Sequence, residues 1–247
     1  MFRPLLICAL IALLPSAALA GPHLRWNACY GDANALPNRT FACDTNTGSE
    51  LLVASYSVPS ALAQVQSVDC RIDIHFASAT TPAWWAFKNA GTCRQTLVTA
   101  GTSPDLNWTC TDLAAGQALA AYTVSYSNTV FGIAGGQLLL TSSVPAGGEY
   151  DVAPADGELF AFSLNIRHTK TTGTGACAGC QTPACFQFTQ ITLHSATYPY
   201  PVGYSGPADS SPTWYALWQS SDPTSTSCQL TTGTRRPTWG AIKSLYR

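Results

Sequence analysis

Charge is what this chain has least of. Only 10% of its 247 residues are charged, where soluble globular proteins carry about 25%. Lysine is confined to Lys88, Lys170 and Lys243, and there is a single methionine. A net charge of −1 leaves no positive field to hold phosphates, so nucleic acid is not an expected partner. The same scarcity weighs against acid–base catalysis. Past the first twenty residues there is no long apolar run, so no transmembrane segment is expected. What is present is apolar and aromatic, 46% and 11% of the chain, which is enough for a packed core. Solubility then rests on Ser, Thr, Asn, Gln and Gly.

Residues 1–20 have the parts of a secretory signal peptide: Arg3, an apolar stretch from Leu5 to Leu14, and a small-residue cleavage site at Ala18-Leu19-Ala20. Cleavage before Gly21 leaves 227 residues, nine cysteines and a net charge of −2, from 11 basic and 13 acidic groups. Export puts those thiols in an oxidising compartment, where disulfides persist. The expected location is secreted, either extracellular or at the cell surface.

Period-2 alternation dominates the remainder. In Asp69-Cys70-Arg71-Ile72-Asp73-Ile74-His75-Phe76 every even position is apolar, which predicts a half-buried strand with Asp69, Arg71, Asp73 and His75 in water. From Leu159 to His168 the pattern repeats, with Phe160, Phe162, Leu164 and Ile166 inward. Residues 50–58, 122–126 and 137–143 are also strand-like, and Gly135-Gly136 reads as a hairpin turn. Between 185 and 195 the apolar phase moves from even (Phe186, Phe188) to odd (Ile191, Leu193), which predicts a bulge near Thr189–Gln190. Ser60 to Ser67 and Ala114 to Ala121 are the two short helix candidates. Many short strands and few helices predict an all-β fold: an antiparallel, jelly-roll-like two-sheet sandwich, disulfide-stapled, with short helical turns. We expect one domain over 21–237. Two smaller domains are the alternative, with no clear linker to divide them. Pro82–Phe87 and Pro212–Trp218 echo one another, as a duplicated half-domain or by coincidence.

Nine mature cysteines are an odd number, so one stays free or pairs between chains. Cys29 with Cys43 and Cys93 with Cys110 bracket turn residues and are expected to pair locally, each closing a short loop worth about 3 kcal/mol. Cys228 then takes one of Cys177, Cys180 or Cys185. Cys70, inward on its strand, is the free-thiol candidate. Cys177-x-x-Cys180 lies in a Gly/Thr loop without a βαβ setting, against a redox pair. The missing second half of a zinc motif argues against metal. No cofactor or metal is expected.

Other candidate chemistry is sparse. Ser205, in Gly203-Tyr204-Ser205-Gly206-Pro207, falls short of a nucleophile elbow. Asp44 to Glu50 alternates oxygen ligands as calcium loops do, but without a third acidic ligand it reads as an Asx turn. His75 and His168 sit on outward strand phases and are expected to be solvated. Glu149, Asp151 and Glu158 are the carboxylates a glycoside hydrolase would draw on. Aromatics are the remaining clue. Trp84, Trp85, Trp214, Tyr215 and Trp218, with Tyr198, Tyr200 and Tyr204, are candidates for a surface that stacks on sugar rings. The plainer and preferred reading has Trp84 and Trp85 straddling a strand or turn, one of them plugging the core.

Several blocks are similar to a known group. Leu24-Arg25-Trp26-Asn27-Ala28-Cys29-Tyr30-Gly31, the run from Pro82 to Arg94 (PAWWAFKNAGTCR), and Thr238-Trp239-Gly240-Ala241-Ile242-Lys243-Ser244-Leu245-Tyr246-Arg247 resemble a group of uncharacterised secreted bacterial proteins. The resemblance implies no activity and assigns no residue a role. Residues 238–247 also have an amphipathic helical pattern, suited to docking on a sheet edge or to a sorting tag. The expectation is a secreted binding or structural surface protein, with a neutral glycan as the partner that low charge suggests. A secreted hydrolase acting on extracellular carbohydrate is the alternative.

Overall fold

The computed structural model describes residues 21–88, 91–130, 133–205 and 213–220. The signal-peptide, Cys228 and tail expectations lie outside these residues. In chain order the strands are β1 (Gly21–Trp26), β2 (Asn38–Arg39), β3 (Ser49–Ser57), β4 (Leu62–Phe76), β5 (Val98–Gly101) and β6 (Leu119–Val130). They continue with β7 (Ile133–Ser143), β8 (Tyr150–Val152), β9 (Leu159–Arg167), β10 (Ala184–Ser195), β11 (Val202–Ser205) and β12 (Tyr215–Trp218). One sheet has the order β1-β3-β9-β5; the other runs β2-β12-β10-β4-β7-β6, with β11 also on β10 and β8 on β4. Pairing is antiparallel except for β2 with β12. The all-β two-sheet fold is thus as the alternation requires, with helix among the described residues limited to single 3₁₀ turns at Ala83–Trp85 and Pro154–Asp156.

The inward phases of both sheets meet in one core. Leu52, Ala54, Phe162, Leu164 and Ile166 of the smaller sheet face Ile72, Ile74, Phe186, Phe188 and Ile191 of the larger. The expected bulge is present: β10 shifts register against β4 between Phe188 and Gln190, leaving Thr189 extra and returning Ile191 and Leu193 to the core. A second bulge is not visible in the alternation. Ala54 pairs with Phe162 but Ser55 with Phe160, so Phe160 turns away from the main core. It packs instead with Cys29, Val53 and Cys110 on the outer side of the smaller sheet.

Two local expectations are corrected. Gly135-Gly136 is no turn but lies inside β7, where Gly135 pairs with His75 and Gly136 with Ile74. A Cβ at Gly135 would come within 2.8 Å of the Ile74 carbonyl oxygen, and one at Gly136 within 2.9 Å of the Tyr126 ring, so close packing is what demands glycine there. Neither helix candidate is a helix. Ser60 to Ser67 runs into the leading end of β4, where sheet pairing overrides weak helical propensity, and Ala114 to Ala121 is a turn over 113–116 followed by the first residues of β6. The two echoed segments differ in local structure, in keeping with coincidence as the reading of the echo: Pro82–Phe87 holds a 3₁₀ turn, whereas Tyr215–Trp218 is strand β12.

The local disulfide pairing is also corrected. The bonds are Cys29–Cys110, Cys43–Cys180 and Cys93–Cys177, separated by 81, 137 and 84 residues. Cys185 is disulfide-bonded as well. Neighbouring cysteines bracket turns, but the antiparallel sheets carry their loops to different places. Cys29–Cys110 ties two loops over the outer face of the smaller sheet. The other two join the segments around Cys43 and Cys93 to the loop leading into β10. Among the described residues Cys70 alone is free; it is buried, and burial holds its thiol well above the ordinary pKa. Thiol titration of the unreduced protein should therefore find none in the native state and one after denaturation. Three or more on denaturation would contradict this pairing.

Candidate functional site

The aromatic candidates are in the interior. Trp84, Trp85 and Trp218 are 1% exposed or less, and Trp214 and Tyr215 are 7% and 5% exposed. Trp84 stacks on Trp218 at 5.3 Å and meets Trp85 edge-on at 4.7 Å. Two of the indole N–H groups have partners: Trp84 donates to Thr171 Oγ1 and Trp218 to the Cys180 carbonyl. Trp85 is buried by ring packing alone, its Nε1 meeting no partner among the described residues. These rings are core, which corrects the stacking-surface expectation. Tyr198 and Tyr200 remain exposed; Tyr204 is half-buried against the core.

The carboxylates of the hydrolase alternative serve local structure. Glu149 accepts from the Gly147 amide, Asp151 from the Gln64 amide, and Glu158 faces His23 Nδ1 at 2.7 Å. Asn46, in the segment that resembles a calcium loop, accepts the Thr171 and Thr172 amides. Ser205 ends strand β11, opposite Gln190.

The outer face of the larger sheet is different. Pairing of β10, β4, β7 and β6 sets outward residues in rows: Gln187, Asp73, Gln137, Ser125; then Gln190, Arg71, Leu139, Thr123; then Thr192, Asp69, Thr141, Ala121. Beside the first row, Gly135 lies against His75 with no side chain of its own. The resulting groove, about 200 Å³, is lined by Arg71, Asp73, His75, Ser125, Gln137 and the two glycines. That is below the roughly 300–1,000 Å³ of sites that enclose drug-sized ligands, and suits one ring or headgroup of a longer molecule. A larger depression, about 600 Å³, along Cys43 and residues 176–182 presents no ionisable side chain beyond its disulfides. A space of about 20 Å³ among Tyr56, Thr102, Asp112 and Tyr150 has room for about one water.

Within the groove the polar groups hold one another. Asp73 Oδ1 accepts from Arg71 Nε and from Gln137 Nε2, both at 3.1 Å. Arg71 Nη2 also donates to Asp73 Oδ2 at 3.4 Å, so a planar carboxylate, guanidinium and amide are fixed side by side at the groove. Burial lowers the pKa of His75, opposed in part by Asp73, so its imidazole is neutral at pH 7 and offers one donor and one acceptor. Further along, Asp69 takes His194 Nε2 at 2.8 Å on one oxygen and Thr141 Oγ1 at 2.6 Å on the other. In a nucleophilic triad the histidine stands between hydroxyl and carboxylate. Here the carboxylate stands between, so the Thr141 hydroxyl is held and not activated.

Two buried polar clusters are structural. Glu50, 3% exposed, accepts from Arg39 and from His168 Nε2, while His168 Nδ1 bonds the Thr47 carbonyl and the ring stacks on Phe41 at 3.8 Å. His168 is therefore not solvated, contrary to its strand phase, because it follows the end of β9 and folds under the start of β3. Arg94 lies 3.6 Å over Trp84 and donates to the Trp84 and Arg167 carbonyls; burial pushes its pKa down to about 9. Among the described residues no three His, Cys, Asp or Glu side chains gather as a metal would require.

The alternation marked Asp69, Arg71, Asp73 and His75 as wet but not as a site. Gln137 and Ser125, 50 or more residues further along the chain, join them only through the pairing of β4 with β7 and of β7 with β6. No family model, curated protein or solved structure matches the chain.

Proposed function

We propose that this is a secreted binding protein that recognises a neutral, polyhydroxylated ligand of the glycan class on the outer face of its larger sheet. The observation that carries the reading is the Arg71–Asp73–Gln137 array beside the notch at Gly135. Hydroxyl groups both donate and accept. A fixed carboxylate, guanidinium, amide and neutral imidazole present matching groups without requiring charge on the ligand. The chain's low charge and the groove's open shape agree with recognition of part of a longer neutral molecule. The hydrolase alternative gains no support, since Glu149, Asp151 and Glu158 are engaged locally and line none of the grooves described above.

Titration with a panel of neutral oligosaccharides, followed by calorimetry, tests this. A binder found with the wild type should lose at least tenfold in affinity, about 1.4 kcal/mol, in Asp73→Ala and in Arg71→Ala. The two residues form a partly exposed ion pair on the wet face, so unfolding free energy should fall by no more than about 1 kcal/mol. Affinity should hold between about pH 8 and 6.5 and weaken as His75 protonates below its ordinary range. Unchanged affinity in both variants would place the ligand elsewhere.

A further inference from the structure

We propose that two copies of this chain join edge to edge through β6, making one continuous sheet across the dimer. The inference rests on β6 alone and does not depend on the ligand. β6 is the outermost strand of the larger sheet and pairs only with β7 among the described residues. From Leu119 to Ser127 its register against β7 is unbroken, and it carries no charged residue and no proline. Natural sheets protect long edges with lysine, proline, bulges or a covering segment, because an open row of N–H and C=O groups templates further pairing.

The remaining edges are protected. β1 is covered where the Leu24 amide bonds the Thr213 carbonyl and the Trp26 amide bonds that of Leu36. β2 has two residues and β5 four. β6 is thus the one long open edge among the described residues. Leu119 sits directly on it, 75% exposed, and the outward neighbours Ala121, Thr123 and Ser125 are small.

A second copy fits this edge better than a charged partner. An uncharged strand meets its own image without like charges in apposition, and a net charge of −2 on the secreted chain gives little long-range repulsion between copies. Nine paired residues span about 30 Å and supply about eight main-chain hydrogen bonds, close to the ten or so of an ordinary interface. Antiparallel pairing about a two-fold axis normal to the sheet keeps the two polar outer faces on one side.

Sedimentation equilibrium and light scattering on the full secreted protein test this, with Thr123→Lys and Thr123→Glu as exposed variants. The wild type should be a dimer at micromolar concentrations, and each variant alone a monomer, because like charges face each other across the axis. Mixing the two variants should restore a one-to-one dimer. The circular dichroism spectrum and melting transition of each variant should match the wild type, which separates lost pairing from lost folding. A wild type monomeric up to millimolar concentration, or a dimer that neither variant weakens, would overturn the proposal.

Discussion

Reducing the disulfides of the native protein is expected to unfold it. The bonds Cys29–Cys110, Cys43–Cys180 and Cys93–Cys177 each span 81 residues or more, and in the chain-entropy model loops of that size contribute about 4–5 kcal/mol apiece. Local pairing would have contributed about 3 kcal/mol per bond. Domains have about 5–15 kcal/mol in total, so losing all three removes most or all of the margin even when nested loops contribute less than their sum. Long bonds also act on particular places. Cys29–Cys110 holds the cluster of Val53 and Phe160 under its loops, and Cys93–Cys177 anchors the segment that carries Trp84 and Trp85. Near-ultraviolet circular dichroism, sensitive to this packed indole cluster, should lose its signal under reductant at ambient temperature. A cooperative melt with an unchanged midpoint under reductant would show that the two sheets hold without their ties.

Replacing Glu50 by alanine is expected to cost about 1–3 kcal/mol, the range for leaving a buried polar partner unsatisfied. The carboxylate accepts from both Arg39 and His168, of which Arg39 is 34% exposed and can turn to water while His168 is buried and loses its partner. Glu50→Gln keeps the size and an acceptor oxygen, and should cost less than half as much. Urea denaturation with a constant slope would read both values. A Glu50→Ala loss below about 0.5 kcal/mol would fit a surface position and contradict the clamp.

Much of the fold was legible because period-2 patterning is a local signal. The bulge at Thr189 shows as a change of phase, and the wet side of β4 as four polar residues at alternate positions. The bulge beside Phe160 left no such trace, since Leu159, Phe160, Ala161 and Phe162 are all apolar and either phase reads equally well. Disulfide pairing was misread because proximity in sequence does not say where a sheet delivers a loop. The tryptophans were ambiguous for a related reason: an indole is amphipathic, and sequence does not show whether its ring meets other rings, as Trp85 does, or its N–H meets a partner such as Thr171 or the Cys180 carbonyl. Half of the candidate site, Arg71, Asp73 and His75, was visible as a surface. Gln137, Ser125 and the notch at Gly135 depend on register, which sequence alone does not supply.

The most direct test of the central claim is a nuclear magnetic resonance titration of the labelled protein with a neutral oligosaccharide that binds it. The account predicts amide shift changes concentrated at residues 69–75, 125 and 135–137, and their loss in Asp73→Ala. Changes centred on residues 176–182, or on the loops that carry Glu149, Asp151 and Glu158, would contradict it.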